Sequence, residues 1–553
     1  MHYRSFRIQN FKGIKDATLF VSESDHARVH TLVGLNESGK TTILEAIHSF
    51  SPDDDTRVIV GSDLSTDAAA QDLVPRYAVS DFSGDISVEA EIFISAADKV
   101  QISKIANRQN SDSIKFKNSD DEIFYYKKYH QYANGEFKGQ YRQSNLLFEI
   151  RKPGQRKYYP PSQDDLSTCF NATERLFPKI AYFPTFVFDF PDKIFLSGRE
   201  KDRRNAFYRR LFQDILDFDD RGHTIEDHIV SRTRREEFVG PWSFFFGVFR
   251  SSYESDKINQ VIDRAAETVT RTIFRKWNEI FGEEVKGKEV IIPWDVDEGL
   301  PVVDQKGTKT PSHKHDLFIQ FRIKDGSNRY NVEDRSLGFR WFFAFLLFTQ
   351  FRVARRHGTA TIFLFDEPAS NLHSAAQQKL IESFPEIAKA PHALIYSTHS
   401  HYMIEPKWLD QAFIVDNGVN DAEKSVFDSG MTDDRSLNIK ATPFRKFVYQ
   451  FPTKTSYFQP IMDRLDVKPS KFDLNLGGII VEGKSDYYIL RYASEKIFKR
   501  KANIFPVAGA GTMGALIALQ RGWGLPVRVL LDADRAGQKG AEEIRERIRA
   551  FGR

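Results

Sequence analysis

The most restrictive feature of the sequence is a glycine-rich loop between an apolar strand pattern and a helical pattern. The loop reads GLNESGKT, from Gly34 to Thr41, and fits the spacing G-x-x-x-x-G-K-[ST]. The segment before it, VHTLVG, has the composition of a strand, and the segment after it, TTILEAIHSF, has helical spacing. A chance match in a glycine-containing turn would rarely have a strand, a loop and a helix in this order. The sequence therefore predicts an α/β fold with a phosphate-binding loop.

The residue types in this loop suit a nucleoside triphosphate and a metal ion. Backbone N–H groups at the start of a helix hold phosphate oxygens. We expect Lys40 to reach the β- and γ-phosphates and Thr41 to hold Mg²⁺. The predicted cofactors are therefore ATP and Mg²⁺, and the ATP-binding residues in the loop are Gly34, Asn36, Glu37, Ser38, Gly39, Lys40, Thr41 and Thr42.

Two later strand patterns end in residues that would complete a hydrolytic site. TIFLFDEP ends in Asp366 and Glu367, and LIYSTHS ends a second strand at His399. We expect Asp366 to hold the metal through water and Glu367 to orient or deprotonate the attacking water. His399 would sense the γ-phosphate. Acidic strand ends and isolated histidines are each common alone, so the prediction rests on the order of the three segments.

The segment DRSLGFRWFFAFLLF, which begins at Asp334, reads as the N-capped start of a helix. Its Ser336 and Gly338 match a divergent form of the LSGGQ signature of ABC-type ATPases, and a capped core helix is the alternative interpretation. Together with the loop and the two strand ends, the segment resembles the ABC-type ATPase heads of the SMC and recombination-repair group. The resemblance implies a homodimer or higher homo-oligomer, with Ser336 and Gly338 contacting ATP bound to the facing head.

A second set of carboxylates follows strand patterns late in the sequence. GGIIVEGKSDYYIL places Glu482 after a strand and Asp486 four residues later, and VRVLLDADRAGQKG ends a strand in Asp532 and Asp534. Carboxylates at i and i+2 leave a strand on the same side and repel each other unless a cation lies between them. Oxygen ligands of this kind suit Mg²⁺ or Mn²⁺. The pair Asp532 and Asp534 is therefore suited to hold a second metal ion.

The order of these segments, with the strand and glycine turn FPVAGAGTMGAL between them, resembles the Toprim domain. The resemblance implies metal-assisted phosphodiester cleavage, with Glu482 as general acid/base or metal ligand. It also implies Asp532 and Asp534 as metal ligands and Asp486 as a further ligand. A plain Rossmann-like lobe with acidic loop ends is the alternative. The sequence stops at Arg553, 19 residues after Asp534, so we expect a Toprim domain that is incomplete at its C-terminus.

An ABC-type head followed by a Toprim domain resembles the OLD (overcoming lysogenization defect) family. The resemblance implies an ATP-modulated, metal-dependent DNA endonuclease, which in several members is an anti-phage defence effector. Some members accompany a helicase-like protein or a retron reverse transcriptase with its RNA–DNA, and the sequence leaves the partner open. The alternative function is a nucleotide-sensing scaffold ATPase whose inactive Toprim domain holds a nucleoprotein complex.

Length sets the domain organisation, because 553 residues exceed what one core normally holds. We predict an ABC-type P-loop head interrupted by a helical/β insertion and followed by a Rossmann-like Toprim domain. The predicted segments are 1–100 (ATPase part with the loop), 101–285 (insertion, mainly helical from 197, for dimerisation or partner contacts), 286–415 (ATPase part with the signature, Asp-Glu strand and His399), 416–475 (linker) and 476–553 (Toprim domain).

Charge and composition bear on the partners and the compartment. The net charge is only +3, so contact with DNA must come from local patches such as GREKDRRNAFYRR (198–210) and EKIFKRK (495–501), unless these are solvated helix faces. The single cysteine, Cys169, favours a reducing cytoplasm. The longest apolar run, WFFAFLLF, is shorter than the roughly 20 residues that span a bilayer, so no membrane partner is expected.

Overall fold

The computed structural model divides the chain into two compact units, residues 1–441 and 442–553. The second unit begins inside the predicted linker 416–475. The residues that the structure describes are 1–21, 28–53, 73–74, 81–109, 113–184, 190–198, 202–232, 247–281, 287–298, 302–303, 309–310, 315–353, 360–368, 370, 372–417, 438–449, 465, 478–500, 502–507, 513, 517 and 527–550.

The strands of the described residues, in chain order, are β1 His2–Phe11, β2 Ile14–Phe20, β3 Val29–Val33, β4 Gly84–Ile94, β5 Ser113–Phe116, β6 Glu122–Ala133, β7 Glu136–Ser144, β8 Phe148–Arg151, β9 Lys179–Phe183, β10 Ile194–Phe195, β11 Lys288–Ile291, β12 Trp294–Glu298, β13 Val302–Val303, β14 Lys309–Thr310, β15 His315–Ile319, β16 Arg322–Asp325, β17 Asn328–Asn331, β18 Thr361–Phe365, β19 Ala393–Thr398, β20 Ala412–Asn417, β21 Ile439–Pro443, β22 Ile479–Val481, β23 Ile504–Pro506 and β24 Arg528–Leu530.

The α-helices of the same residues are α1 Lys40–Phe50, α2 Ala96–Gln109, α3 Gln163–Glu174, α4 Arg203–Phe218, α5 Gly247–Phe281, α6 Leu337–Leu347, α7 Ser374–Glu382, α8 Phe384–Ile387, α9 Phe444–Tyr449, α10 Lys484–Tyr492 and α11 Arg535–Ala550. Shorter π-type and 3-10 turns lie at Glu226–Val230, Phe348–Val353, His401–Met403, Pro406–Gln411 and Ala493–Ile497. No helix in these described ranges is long and apolar enough to cross a membrane.

A six-stranded sheet at the centre of the first unit has the order β21-β20-β3-β19-β18-β9. β3 pairs in parallel with β19 and β20, and β18 pairs in parallel with β19 and β9. β3 and β18 are buried along their whole length, as expected for strands of a parallel sheet with both faces covered. The carboxyl ends of β3, β18 and β19 therefore lie at the same edge of the sheet.

A second sheet of the first unit is antiparallel and has the order β2-β1-β4-β6-β7. β6 pairs with β4 over eleven residue pairs, from Gly84↔Tyr132 to Ile94↔Glu122. Asn134 and Gly135, both at positive φ, form the tight turn between β6 and β7, as Asn-Gly does in type I′ hairpins. The sheet thus runs across the predicted boundary between residues 100 and 101, and β6 and β7 extend the N-terminal part of the unit.

The helices α4, α5 and α6 contribute to one aromatic-rich core that also contains the side chains of β9 and β18. α4 and α5 lie in the segment that the sequence predicts to be mainly helical. In α6 every residue from Trp341 to Leu347 is buried. Phe207 and Tyr208 of the basic patch 198–210 are also core residues, at 5% and 1% exposure, so they do not stack on nucleic acid bases.

The second unit contains a three-stranded sheet in which β22 lies between β23 and β24. Both neighbours run parallel to β22, with Val481 opposite Pro506 on one side and Leu530 on the other. A small core supports this sheet and comprises Ile480, Val507, Met513, Ile517 and Ile544. The parallel order brings the carboxyl ends of β22 and β24 side by side.

Candidate functional site

The glycine-rich loop connects β3 to α1 and has an unusual backbone. Glu37 and Gly39 both have positive φ, and a Cβ on Gly39 would lie 2.5 Å from the Ile439 side chain. A Cβ on Gly34 would lie 2.5 Å from the carbonyl oxygen of Val415 on β20. Close contacts therefore require glycine at both positions, and at Gly39 the positive φ requires it as well. The Ser38 hydroxyl, 2% exposed, has no hydrogen-bond partner among the described residues.

Lys40, the first residue of α1, points back over the loop. Its Nζ donates hydrogen bonds to the carbonyl oxygens of Gly34 and Leu35, at 2.8 and 2.7 Å. It also lies 3.0 Å from Oε1 of Glu367, directly after β18. The ammonium group, whose residue is 5% exposed, is thus held at the mouth of the loop. This is the position from which a lysine reaches the phosphates of a nucleotide.

Glu367 links this lysine to the end of β19. Its Oε2 lies 2.7 Å from Nδ1 of His399, and the backbone N–H of His399 is 3.4 Å from the same oxygen. Glu367 has a φ of 48°, a left-handed conformation that costs a non-glycine residue of order 1–3 kcal/mol. The structure therefore brings together Lys40, Glu367 and His399, as the order of their sequence segments predicts.

Asp366 lies beside them and is 6% exposed. The hydroxyls of Thr41 and Tyr182 donate to its Oδ2, at 2.9 and 3.1 Å, and the Ser397 hydroxyl donates to Oδ1 at 2.7 Å. Burial raises the pKa of Asp366 above its ordinary value, although these three hydroxyls act in the opposite direction. Burial, followed by the nearby charge of Asp366, raises the pKa of Tyr182 as well, so this hydroxyl stays protonated and can donate.

Ser397 and Tyr182 belong to this site although no sequence motif identified them. The Ser397 hydroxyl accepts the backbone N–H of Glu367 at 2.8 Å and donates to Asp366, so one side chain positions both acidic residues. Its position two residues before His399, on the strand next to β18, is the signal that a sequence analysis could have used. Tyr182 lies 184 residues before Asp366 and reaches it because β9 pairs with β18.

The donor atoms of this site fit a nucleotide with Mg²⁺. Thr41 Oγ1 and Asp366 Oδ2 are hard oxygen donors 2.9 Å apart, and oxygen donors are what Mg²⁺ prefers. The loop also offers an unpartnered Ser38 hydroxyl and the Lys40 ammonium. Asn36 and Thr42 flank these residues, and the side chain of Asn417 donates to the carbonyl oxygen of Glu37 at 3.4 Å. The predicted loop residues are thus gathered in one place.

Ser336 and Gly338 lie at the start of α6. The Ser336 hydroxyl accepts the N–H of Phe339 at 3.4 Å and caps the helix, while Arg335 lies over the Tyr330 and Phe339 rings. Ser336 is exposed, and the next residue, Leu337, is 44% exposed. The bond of Ser336 is therefore local to its own helix, and the start of α6 faces solvent.

The second unit collects the other predicted carboxylates at the ends of β22 and β24, which we call the carboxylate edge: Glu482, Asp486, Asp532 and Asp534. The N–H of Asp532 donates to Oε2 of Glu482 at 3.0 Å. Asp486 accepts the N–H of Gly483 at 3.1 Å, and Asp534 accepts the N–H of Gly537 at 2.7 Å. Three of the four carboxylates, those of Glu482, Asp486 and Asp534, are thus each held by a backbone donor.

Mutual repulsion acts within the carboxylate edge. The charge of Asp486, followed by partial desolvation and the charges of Glu482 and Asp534, raises the pKa of Asp532 above its ordinary value. A bound cation would relieve this repulsion, and the all-oxygen donor set suits Mg²⁺ or Mn²⁺. Within the described part of the chain, however, no three His, Cys, Asp or Glu side chains converge closely enough to hold one metal ion. The metal-ligand assignment of these four residues remains a prediction.

Comparison with known proteins identifies the first unit more closely than the second. The model of the AAA_15 family, described as an AAA ATPase domain, matches residues 1–174 and 249–404, which is more than half of the chain. No curated protein matches the sequence.

Two solved structures are among those similar to this chain. The SmcHead bound to the C-winged helix domain of ScpA is 13% identical, with 81% of this chain and 100% of that chain covered and a TM-score of 0.36. The Smc head domain with an extended coiled coil, bound to the C-terminal domain of ScpA and derived from Pyrococcus furiosus, is 14% identical, with coverages of 81% and 98% and the same TM-score. A TM-score of 0.36 is too low to establish a shared fold.

Proposed function

Because this chain belongs to the AAA ATPase domain family, we propose that it couples ATP hydrolysis in its first unit to metal-dependent DNA cleavage in its second. The first unit is then an ABC-type head and the second a Toprim nuclease domain. The single observation that supports the nuclease part is the parallel pairing of β22 with β24, which places Glu482 next to Asp532.

The contacts of the first unit support a division of roles in ATP hydrolysis. Lys40 binds the β- and γ-phosphates, and Thr41 and Asp366 hold Mg²⁺, which offsets phosphate charge when bound. Glu367 orients the attacking water and accepts its proton, and His399 holds Oε2 of Glu367 in place. Ser397 fixes the backbone of Glu367 and the carboxylate of Asp366 at the same time.

The contacts of the carboxylate edge support phosphodiester hydrolysis. Asp532, Asp534 and Asp486 would hold Mg²⁺ or Mn²⁺, which supplies charge neutralisation and an activated water when bound. Glu482 acts as general acid/base or as a further ligand. The hydrogen bond from the backbone N–H of Asp532 to the carboxylate of Glu482 holds these two residues next to each other.

An experiment on the full chain tests the nuclease proposal. Supercoiled plasmid is incubated with the purified protein and Mg²⁺ or Mn²⁺, with EDTA as the control, and with or without ATP. We expect nicked and linear products with either metal and none with EDTA. Intact plasmid in every metal condition, together with normal ATP hydrolysis, would contradict the nuclease proposal.

One observation favours a second candidate function, a nucleotide-sensing scaffold ATPase with an inactive second unit. Among the described residues no three potential ligands converge as a metal-binding group. A scaffold of this kind would bind a nucleoprotein partner in an ATP-dependent way and would leave plasmid intact. The same plasmid experiment therefore separates the two functions.

We also propose that the ATPase acts as a homodimer or a higher homo-oligomer. The exposed start of α6, with Ser336 as its cap, supports this proposal because unpaired N–H groups at a helix start attract phosphate oxygens of a nucleotide on another subunit. Light scattering on the Glu367→Gln variant with ATP tests it. We expect a larger assembly with ATP than without, and an unchanged mass with ATP would contradict the proposal.

The proposed cellular role is that of a cytoplasmic anti-phage defence effector, which rests on the resemblance to the OLD family. A helicase-like protein or a retron reverse transcriptase with its RNA–DNA would be the partner. Phage plating on cells that express the chain with its genomic neighbours tests this role. We expect fewer plaques with the wild-type chain than with Lys40→Ala, and equal plaque numbers would contradict it.

A further inference from the structure

A cavity of about 250 Å³ lies between the turn at residues 223–232 and helix α5. Lys257, Val261 and Arg264 line it from α5, at a spacing of four and three residues that places them on one face of the helix. His223, His228 and Arg232 line it from the other side. None of these residues belongs to the glycine-rich loop or to the carboxylate edge.

The residues that line this cavity are basic or neutral. Arg232, Lys257 and Arg264 are cations at neutral pH, and no carboxylate is among the described residues that line the cavity. His228 accepts the N–H of Thr224 through Nδ1 at 3.1 Å, so its neutral ring carries the proton on Nε2 and can donate. Among the described residues of its wall, the cavity therefore presents donors and positive charge and no acidic side chain.

Three acidic side chains between residues 219 and 227 are held by other groups. Glu226 pairs with Arg209 at 3.1 Å, Asp219 pairs with Arg221 at 3.2 Å, and Asp227 accepts the Thr224 hydroxyl at 2.8 Å. Because of these contacts, the three carboxylates neutralise less of the positive charge of the cavity. In agreement, burial and then the electrostatic effects of His228 and Arg264 lower the pKa of His223, although Asp219 acts in the opposite direction.

The size of the cavity limits what it can hold. Pockets for drug-sized ligands measure roughly 300–1,000 Å³, so a cavity of about 250 Å³ suits a smaller group. A fork of arginine donors matches the geometry of phosphate oxygens. We propose that this cavity binds a phosphate group through Arg264, Arg232 and Lys257, with the two histidines as further donors. The phosphate is carried either by the end of a nucleic acid strand or by a free phosphate ion, which share this chemistry.

Binding measurements on the full chain test the proposal. Saturating ADP and Mg²⁺ keep the glycine-rich loop from competing for phosphate. Fluorescence anisotropy then compares a 5′-phosphorylated DNA oligonucleotide with its 5′-hydroxyl counterpart, and inorganic phosphate serves as competitor. We expect tighter binding of the phosphorylated strand, or Arg264-dependent binding of inorganic phosphate alone if the free ion is the ligand.

Substitutions identify the site. Arg264→Gln should weaken phosphate-dependent binding about 10-fold or more, since it removes a charge-assisted hydrogen bond, and Arg264→Lys should lose less. Arg271→Gln is the matched control, because Arg271 is exposed on the same helix and does not line the cavity. ADP affinity reports whether each variant is folded. If Arg264→Gln is not folded, Lys257→Gln is tested in its place. Equal losses in Arg264→Gln and Arg271→Gln, or no dependence of binding on phosphate, would overturn the proposal.

Discussion

Oε2 of Glu367 lies 2.7 Å from Nδ1 of His399, while Oε1 of the same carboxylate lies 3.0 Å from Nζ of Lys40. One acidic side chain therefore connects the glycine-rich loop after β3 to the end of β19. The two contacts fix the direction of the carboxylate. The backbone of Glu367 has a left-handed conformation. A carboxylate held in this way is suited to receive a proton from a water molecule at the mouth of the loop.

Glu367→Gln should lower the rate of ATP hydrolysis by about 10²–10⁴-fold with little change in ATP affinity, because it removes the proton acceptor and keeps the shape. His399→Ala should lower the rate less, since it only frees Oε2. His401→Ala, two residues further on, is the control for loss of an imidazole ring. Phosphate release and nucleotide titration measure both quantities. A Glu367→Gln variant with normal turnover would show that another residue accepts the proton.

Ser397→Ala should reduce hydrolysis by about 10-fold or more, because one hydroxyl serves both Asp366 and Glu367. The remaining donors to Asp366, from Thr41 and Tyr182, would keep the protein folded. Ser400→Ala is the matched control, since the Ser400 hydroxyl bonds to Gln377 instead. Phosphate release at saturating ATP measures the effect. Equal rates in the two variants would mean that Ser397 does not position the acidic pair.

Glu174→Gln should destabilise the first unit in a pH-dependent way. Burial alone would raise the pKa of Glu174, but Lys128, Tyr126 and Arg142 outweigh burial and the pKa is lowered from 4.5. Its contribution to stability is therefore fully present above about pH 4.5 and is lost as the pH falls through the lower folded pKa. In urea unfolding, the free energy of unfolding of Glu174→Gln should be about 1–3 kcal/mol lower than that of the wild type at pH 7, and the difference should be smaller in acid.

Glu136→Gln provides the control for this experiment, because Glu136 is exposed and pairs only with Lys138 among the described contacts. It should change the free energy of unfolding little at either pH. An equal loss in Glu174→Gln at neutral and acidic pH would mean that shape, and not charge, carries the contribution of Glu174.

Gly537→Ala should disable the carboxylate edge selectively. An added Cβ would lie 2.0 Å from the carbonyl oxygen of Asp532, so either the turn before α11 or the helix itself must move. DNA nicking should fall to background while ATP hydrolysis in the first unit continues. Gln538→Ala, on an exposed neighbouring residue, is the control. Normal nicking by Gly537→Ala would show that the position of Asp532 does not matter for cleavage.

The grouping of residues at the candidate ATP site was largely predictable, because these residues follow directly from local patterns. Lys40, Asp366 and His399 each stand at the end of a strand or the start of a helix that apolar periodicity identifies. Parallel pairing then brings the strand ends together without further information. Tyr182 could not be predicted in this way, since its contact with Asp366 depends on which strand lies next to β18.

The organisation of the first unit was harder to predict. β6 is rich in Tyr and Lys and lies in the segment predicted to be an insertion. Tyr126, at 0% exposure, and Lys128 nevertheless lie on its inner face and bond to Glu174. The composition of this segment did not indicate that its strands belong to the N-terminal sheet. The cavity lined by His223 and Arg264 has no signal in the sequence, because its two walls, residues 223–232 and 257–264, are 25 residues apart and no motif joins them.

We propose that one chain carries two separable activities, ATP hydrolysis near Glu367 and phosphodiester cleavage at Asp532. The most direct test measures both on the same preparations of wild-type, Glu367→Gln and Asp532→Asn protein with Mg²⁺ or Mn²⁺. We predict that Asp532→Asn hydrolyses ATP normally and leaves plasmid intact. We predict that Glu367→Gln loses ATP hydrolysis, so that ATP turnover no longer alters its rate of plasmid cleavage. Metal-dependent nicking by Asp532→Asn at the wild-type rate would contradict the claim.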